Sequence, residues 1–287
     1  KVTTMSYMFA ETEEFNQDIG NWNTGSVTDM SYMFRGAQAF NQDISNWDVS
    51  KVTTMSYMFA ETEEFNQDLN NWELNNLKSV RSMFYKAKKF NGNIANWRFP
   101  LLTSLDHMFR GTISFNQNIN DWDVSNATSM RYMFADALAF DQPLDKWNVS
   151  QGKDFGYMFD GTQFNQNINN WDVSNATSMR YMFGNDSAFN QPLDKWDVSQ
   201  VADMESIFSG ARAFNQDISN WNLRSAVSLQ SMFAGARAFN QDISGWNTSN
   251  VENMGYMFSG ATVFNQDISS WDMSNVSSTR EMFAWTH

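Results

Sequence analysis

The side chains of this 287-residue chain that could do chemistry are carboxylates and carboxamides, and they recur in columns 25 residues apart. On either side of a recurring Trp stand Asn21 and Asn23, Asn46 and Asp48, Asn71 and Glu73, Asp121 and Asp123, and Asn170 and Asp172. Such groups offer hydrogen-bond acceptors and donors to a peptide or a sugar, together with a strip of negative charge. Asp18, Asp43 and Asp68 could open an oxygen-ligand row for calcium, but their column continues as Asn93, Asn118, Pro143, Asn167 and Pro192 and is interrupted. No metal site is expected. Catalysis has less to stand on, because the two His are His107, in the column of Tyr32 and Tyr57, and His287. Paired acid and base roles need two unlike environments, whereas near-identical repeats offer the same one again and again. The absence of Cys removes thiol nucleophiles, thiolate metal sites and disulfides together. The expectation is a non-enzymatic chain with no cofactor.

The formal net charge of −13, with no basic stripe among the 19 Lys and Arg, argues against nucleic acid as a partner. No apolar run reaches the length of a membrane span, and the opening Lys1-Val2-Thr3-Thr4 is no signal peptide, so membrane insertion by this segment is not expected. The first and last residues fall inside repeats, which suggests a segment of something longer. Asn-x-Ser/Thr sequons at Asn126, Asn148, Asn175, Asn185, Asn247 and Asn275 matter only in a secreted eukaryotic setting.

The elements that must position the polar columns are visible as a period. Trp falls at 22, 47, 72, 97, 122, 147, 171, 196, 221, 246 and 271, in steps of 25 with one step of 24. The short step traces to the segment between Phe159 and Phe164, which has lost one residue. Two Phe columns, beginning at Phe9 and Phe15, hold 23 of the 25 Phe, and two Met columns, beginning at Met5 and Met8, hold 18 of the 19 Met, so Met here is architecture. Asn follows the second Phe in every unit but one, where Asp141 replaces it. Lys1 to Asp18 recurs identically as Lys51 to Asp68, and residues 122 to 133 recur as 171 to 182. Duplication of this kind suits interchangeable neighbours in a stack.

Within a unit, Val, Met, Met and Phe at spacings of three, three and four predict a short helical segment. Ser50, Ser125, Ser150, Ser174, Ser199, Ser249 and Ser274 precede that pattern and are placed to cap its free amides. The alternation Trp47-Asp48-Val49 or Trp122-Asp123-Val124 predicts a short strand, paired in parallel with its copies above and below. The outward residues beside Trp would then form one face. The Asn row is read chiefly as a structural ladder and Trp as buried, its indole N–H on an internal acceptor. The expected fold is an α/β repeat over 1–287 as a single domain: a solenoid of about eleven 25-residue coils, each with a short parallel strand and a short helical segment.

The Ile44-x-x-Trp47-x-Val49 segment, the Met-Phe pair and Phe-Asn-Gln-Asp-Ile-Ser-x-Trp at 40 to 47, 214 to 221, 239 to 246 and 264 to 271 resemble the mycoplasma-type lipoprotein repeats of BspA-like leucine-rich-repeat surface proteins. That resemblance implies a right-handed leucine-rich-repeat-like solenoid and an extracellular or cell-surface protein linked to adhesion. The expected partner is a protein or glycan on another surface, met by the outward face. The alternative is a structural protein that self-associates into fibres, sheaths or a large complex by solenoid packing.

Overall fold

The structure is a computed structural model and describes residues 1–286. It divides into two compact units, Lys1–Trp147 and Asn148–His287. Each is a stack of 25-residue coils, but not of the predicted kind. Among the described residues there is no helix, and β pairing is confined to isolated parallel bridges between successive coils. In the first unit these join Thr4 to Asp29, Asp29 to Thr54, and Thr54 to Ser79; in the second, Ser178 to Asp203 and Asp203 to Ser228. The bridges lie one residue before the first Met column. The Trp-x-Val segment is neither strand nor bridge, so the expected α/β leucine-rich-repeat-like solenoid with a strand and a helical segment per coil does not form.

What replaces the helix is a run of tight turns. Met33 N–H donates to the Met30 carbonyl at 3.3 Å, Arg35 to Tyr32 at 3.1 Å and Ala37 to Phe34 at 2.9 Å, each a three-residue step. The amides between them cross to the next coil: Met30 to Thr54, Tyr32 to Ser56, Phe34 to Met58 and Gly36 to Ala60, at 2.8 to 3.1 Å. A helix would send every amide four residues back along its own axis. Here alternate amides point out of the coil because Tyr32 (φ 59°) and Gly36 (φ 69°) are left-handed. Type II turns require a positive φ at their third residue, and these two positions supply it. The first is non-glycine in every coil, at a cost of about 1–2 kcal/mol each relative to right-handed backbone. Inter-coil hydrogen bonds offset it. The three-three-four spacing is thus shared by a helix face and by overlapping turns, and only the backbone handedness separates them.

The apolar columns fill the space inside the coils. Phe34, Phe59, Phe84 and Phe109 are fully buried and stack on one another at 5.5 to 5.7 Å between centroids. Within a coil the two Phe meet face to face, 3.9 Å apart for Phe84 and Phe90. Trp47 is 3% exposed, and its indole N–H donates to the Ile19 carbonyl of the preceding coil at 3.1 Å. The bond recurs at Trp72, Trp97, Trp122 and Trp147 of the first unit and at Trp196, Trp221, Trp246 and Trp271 of the second. Each of these Trp side chains therefore joins burial to an inter-coil hydrogen bond.

Ser does not cap amides as expected. The acidic or amide residue two positions earlier accepts the Ser backbone N–H, as Asp48 does for Ser50 at 3.0 Å and Asp123 for Ser125 at 3.0 Å. The Ser50 hydroxyl donates back to Asp48 at 2.6 Å. The chain turns on an Asx motif, and the carboxylate is its acceptor.

Candidate functional site

With Trp turned inward, its neighbours turn outward even though no strand is present. Asn21, Asn23, Asn46, Asp48, Asn71, Glu73, Asp121 and Asp123 are all exposed in the first unit, as are Asn170 and Asp172 in the second. The first unit sets the pairs at 21 and 23, 46 and 48, and 71 and 73 on consecutive coils, so they share a face.

These groups are not equivalent. Asp48, Asp123 and Asp172 each engage a side-chain oxygen in the Asx turn, and hydrogen bonding from Ser50 and Ser125 holds the carboxyls of Asp48 and Asp123 below the usual carboxylate range. Asp121 is lowered first by the hydrogen bond from Lys146, 2.8 Å away, and then by its charge. Asn23 accepts the Gly25 N–H at 3.3 Å, and Asn170 accepts Lys195 Nζ at 2.9 Å. By contrast, Asn46, Asn71 and Glu73 have no side-chain hydrogen bond or ion pair among the described residues. Their donors and acceptors are available to a partner.

Beside this strip runs the amide ladder. Asn41 Oδ1 accepts the Asn66 backbone N–H at 2.9 Å and Gln67 Nε2 at 2.8 Å, and Gln67 Nε2 also reaches the Asn41 carbonyl at 3.0 Å. The pattern repeats at Asn190 with Asn215 and Gln216 in the second unit. The row lies near the surface and its side-chain oxygens are already in use inside the stack, so its work is structural. Replacing Asn41 with alanine removes the two inter-coil hydrogen bonds that its Oδ1 accepts and keeps the one to its backbone carbonyl. Urea unfolding is expected to show a loss of about 1–2 kcal/mol, at the scale of net hydrogen-bond contributions.

Where ladder and strip meet in the first unit, a polar depression of about 510 Å³ is lined by Asp43, Ser45, Asn66, Asp68, Asn71 and Asn93, among others. Its walls carry both donors and acceptors, and Asp43 is held ionised by the hydroxyl and N–H of Ser45. No group of three or more His, Cys, Asp or Glu side chains converges as a metal site among the described residues. Among the same residues no helix is long and apolar enough to cross a membrane.

The sequence reading did not pick out a second surface column. Tyr7, Tyr32 and Tyr57 stack at 4.5 and 4.7 Å with planes 6° apart, and His107 stacks on Tyr132 at 4.6 Å. The signal was present in the shared 25-residue register of Tyr32, Tyr57 and His107, but without knowing that this column is left-handed nothing marked it as facing outward.

The comparison with curated proteins finds no match. Among solved structures, a chain of the Toll–Spatzle complex, a molecular hub in Drosophila development and innate immunity, is similar over 84% of this chain and 35% of its own length, at 10% identity and a TM-score of 0.27. The chain therefore spans about a third of that structure's length. The family described as "Mycoplasma protein of unknown function, DUF285" matches residues 1–97, 91–196 and 177–287. Those matches together run the length of the repeats, and the chain belongs to that family.

Proposed function

We propose that the chain is a non-enzymatic binding module of an extracellular or cell-surface protein, engaging a glycan or protein on another surface through the polar face beside its Trp column. The observation that carries the reading is the division of labour on that face. Asp48 and Asp123 hold turns, whereas Asn46, Asn71 and Glu73 stand exposed with polar groups unused by the fold, and Asn71 lines the polar depression. Regular repetition of weak polar contacts gives avidity without any single strong site. The resemblance to BspA-like surface proteins supports the placement at a cell surface and the link to adhesion.

The test uses the whole chain on a glycan array and against intact cells. Asn46→Arg, Asn71→Arg and Glu73→Arg are combined, since none of these side chains holds the fold together. The triple variant is expected to melt with the parent and to lose at least tenfold in binding. Binding that survives the triple change, or a parent chain that binds neither glycan nor cell surface, would sink the proposal. Growth of oligomers with concentration, measured by light scattering, would point instead to assembly by stack packing.

A further inference from the structure

The stacked surface column is broken in the first unit at Ser82, and the break leaves a cavity. Ser82 has the left-handed φ of its column, 54°, against 53° to 59° for the Tyr residues there, so the backbone is continuous and only the ring is missing. Tyr57 closes one side of the gap and His107 the other, each already stacked on a further ring beyond it. The space between them is two ladder steps wide, the room of one aromatic ring at ordinary stacking distance. It amounts to about 260 Å³ and is bordered by Tyr57, Arg81, Ser82, Tyr85, His107 and Arg110. Tyr85 also borders the gap, its ring under Lys86 Nζ at 5.1 Å and the Arg110 guanidinium at 5.9 Å, and with these side chains around it Ser82 is itself buried.

The charge around the gap is opposite in sign to that of the chain. Arg81 and Arg110 line it, Arg131 and Lys86 stand close by, and none of the four forms an ion pair among the described residues. Asp106, beside His107, is engaged by the Ser129 hydroxyl at 2.5 Å and the Arg131 backbone N–H at 3.0 Å, while Glu61 and Glu63, near Lys86, pair with Arg35 and Lys88. Burial, with Arg110, Arg81 and Arg131 adding to it against Asp106, brings His107 down to about 4. The imidazole is thus neutral at neutral pH and stacks as an uncharged ring. The break at Ser206 differs. The neighbouring Arg180 is paired with Glu205 at 2.6 Å, which cancels the positive charge there.

We propose that the Ser82 gap is a binding site for a planar aromatic ring carrying an anionic group, the ring inserted between Tyr57 and His107 and the anion held by Arg81 and Arg110. Stacking supplies the selectivity for a ring, and two unpaired guanidiniums supply the selectivity for a phosphate or carboxylate upon it. The site lies on a different column from the polar face proposed above, and neither depends on the other.

The probe is phenyl phosphate, titrated into the whole chain by calorimetry and ligand-observed NMR, with inorganic phosphate and benzyl alcohol as the anion and the ring alone. Phenyl phosphate is expected to bind at least tenfold more tightly than either. Ser82→Tyr restores the missing ring, a residue the column already accepts at that φ, and is expected to abolish binding while leaving or raising the melting temperature. Arg110→Gln is expected to weaken phenyl phosphate at least tenfold and to leave benzyl alcohol unchanged. Undetectable binding at millimolar ligand, equal binding of inorganic phosphate or benzyl alcohol, or unaltered affinity in folded Ser82→Tyr would each overturn the site.

Discussion

Replacing Phe84 with alanine is expected to destabilise the first unit by about 3–5 kcal/mol, the range for truncating a buried Phe. Phe84 is fully buried and touches rings on four sides: Phe59 at 5.5 Å, Phe109 at 5.6 Å, Phe90 at 3.9 Å and Trp97 at 6.2 Å. Its neighbours are held in register by inter-coil hydrogen bonds, such as Phe84 N–H to the Met108 carbonyl at 2.9 Å, and so cannot close on the space left behind. Urea unfolding followed by near-ultraviolet circular dichroism, which reports the ring stack, measures the loss. In a stack each coil touches only the next, so the damage is expected to open a local break that lowers cooperativity, seen as a shallower transition. A loss below about 1 kcal/mol would mean that the ladder is loosely packed and that stacking of like on like is not what stabilises the coils.

That ladder was legible in the sequence, because a 25-residue beat of Trp, Phe and Met has no economical explanation other than copies lying on copies. The local backbone was not. The Val, Met, Met and Phe spacing suits one face of a helix, but it suits a chain of overlapping turns equally well, and the decision rests on the sign of φ at Tyr32 and its counterparts. Tyr is a poor left-handed residue by ordinary preference, so nothing in its type announced the turn. The Trp-x-Val alternation was a true signal of burial, since Trp47 and Val49 point in while Asp48 points out, yet alternation of burial does not require strand pairing. Of the candidate face, the exposure of all ten named residues agrees with that alternation. Which of them are occupied inside the fold was hidden, because the Asx turn at Asp48 depends on where the Ser50 amide points.

The protein should lose stability as pH rises from about 4 to about 7, by a contribution of about 4 kcal/mol from Asp186 alone. Burial pushes this carboxyl up to about 7, against hydrogen bonds from Thr162, Ala188 and Phe189 that favour its ionised form. A carboxyl raised in the folded state binds its proton more tightly there than in the unfolded chain. Its stabilising effect is therefore full below the unfolded value, declines as pH climbs through the window, and is gone above the folded value. The hydrogen bonding fits a protonated group: Thr162 Oγ1 is 2.8 Å from both the Phe159 carbonyl and Asp186 Oδ2, and its one proton serves the carbonyl if Asp186 donates to the hydroxyl. The reason for an acid here is the deletion. In several full-length coils the amide before the second Phe donates to the preceding coil, as Ala39 does to the Glu13 carbonyl at 2.9 Å and Ala238 to Arg212 at 3.2 Å. The coil before Ala188 is one residue short, and Asp186 Oδ1 takes the Ala188 and Phe189 amides instead, at 3.1 and 3.2 Å. Asp186→Asn keeps that acceptor and removes the ionisation, so it should be more stable than the parent above pH 7 and flatten the profile between about 4 and 7. Asp186→Ala, the residue of Ala37 and Ala211 in the same column, leaves two amides unpaired and should be less stable than Asp186→Asn at every pH. Melting curves of the three proteins across that range decide the matter. Parallel profiles for the parent and Asp186→Asn would show that the carboxyl does not titrate in the window, and an alanine variant as stable as the asparagine one would show that no missing carbonyl is being replaced.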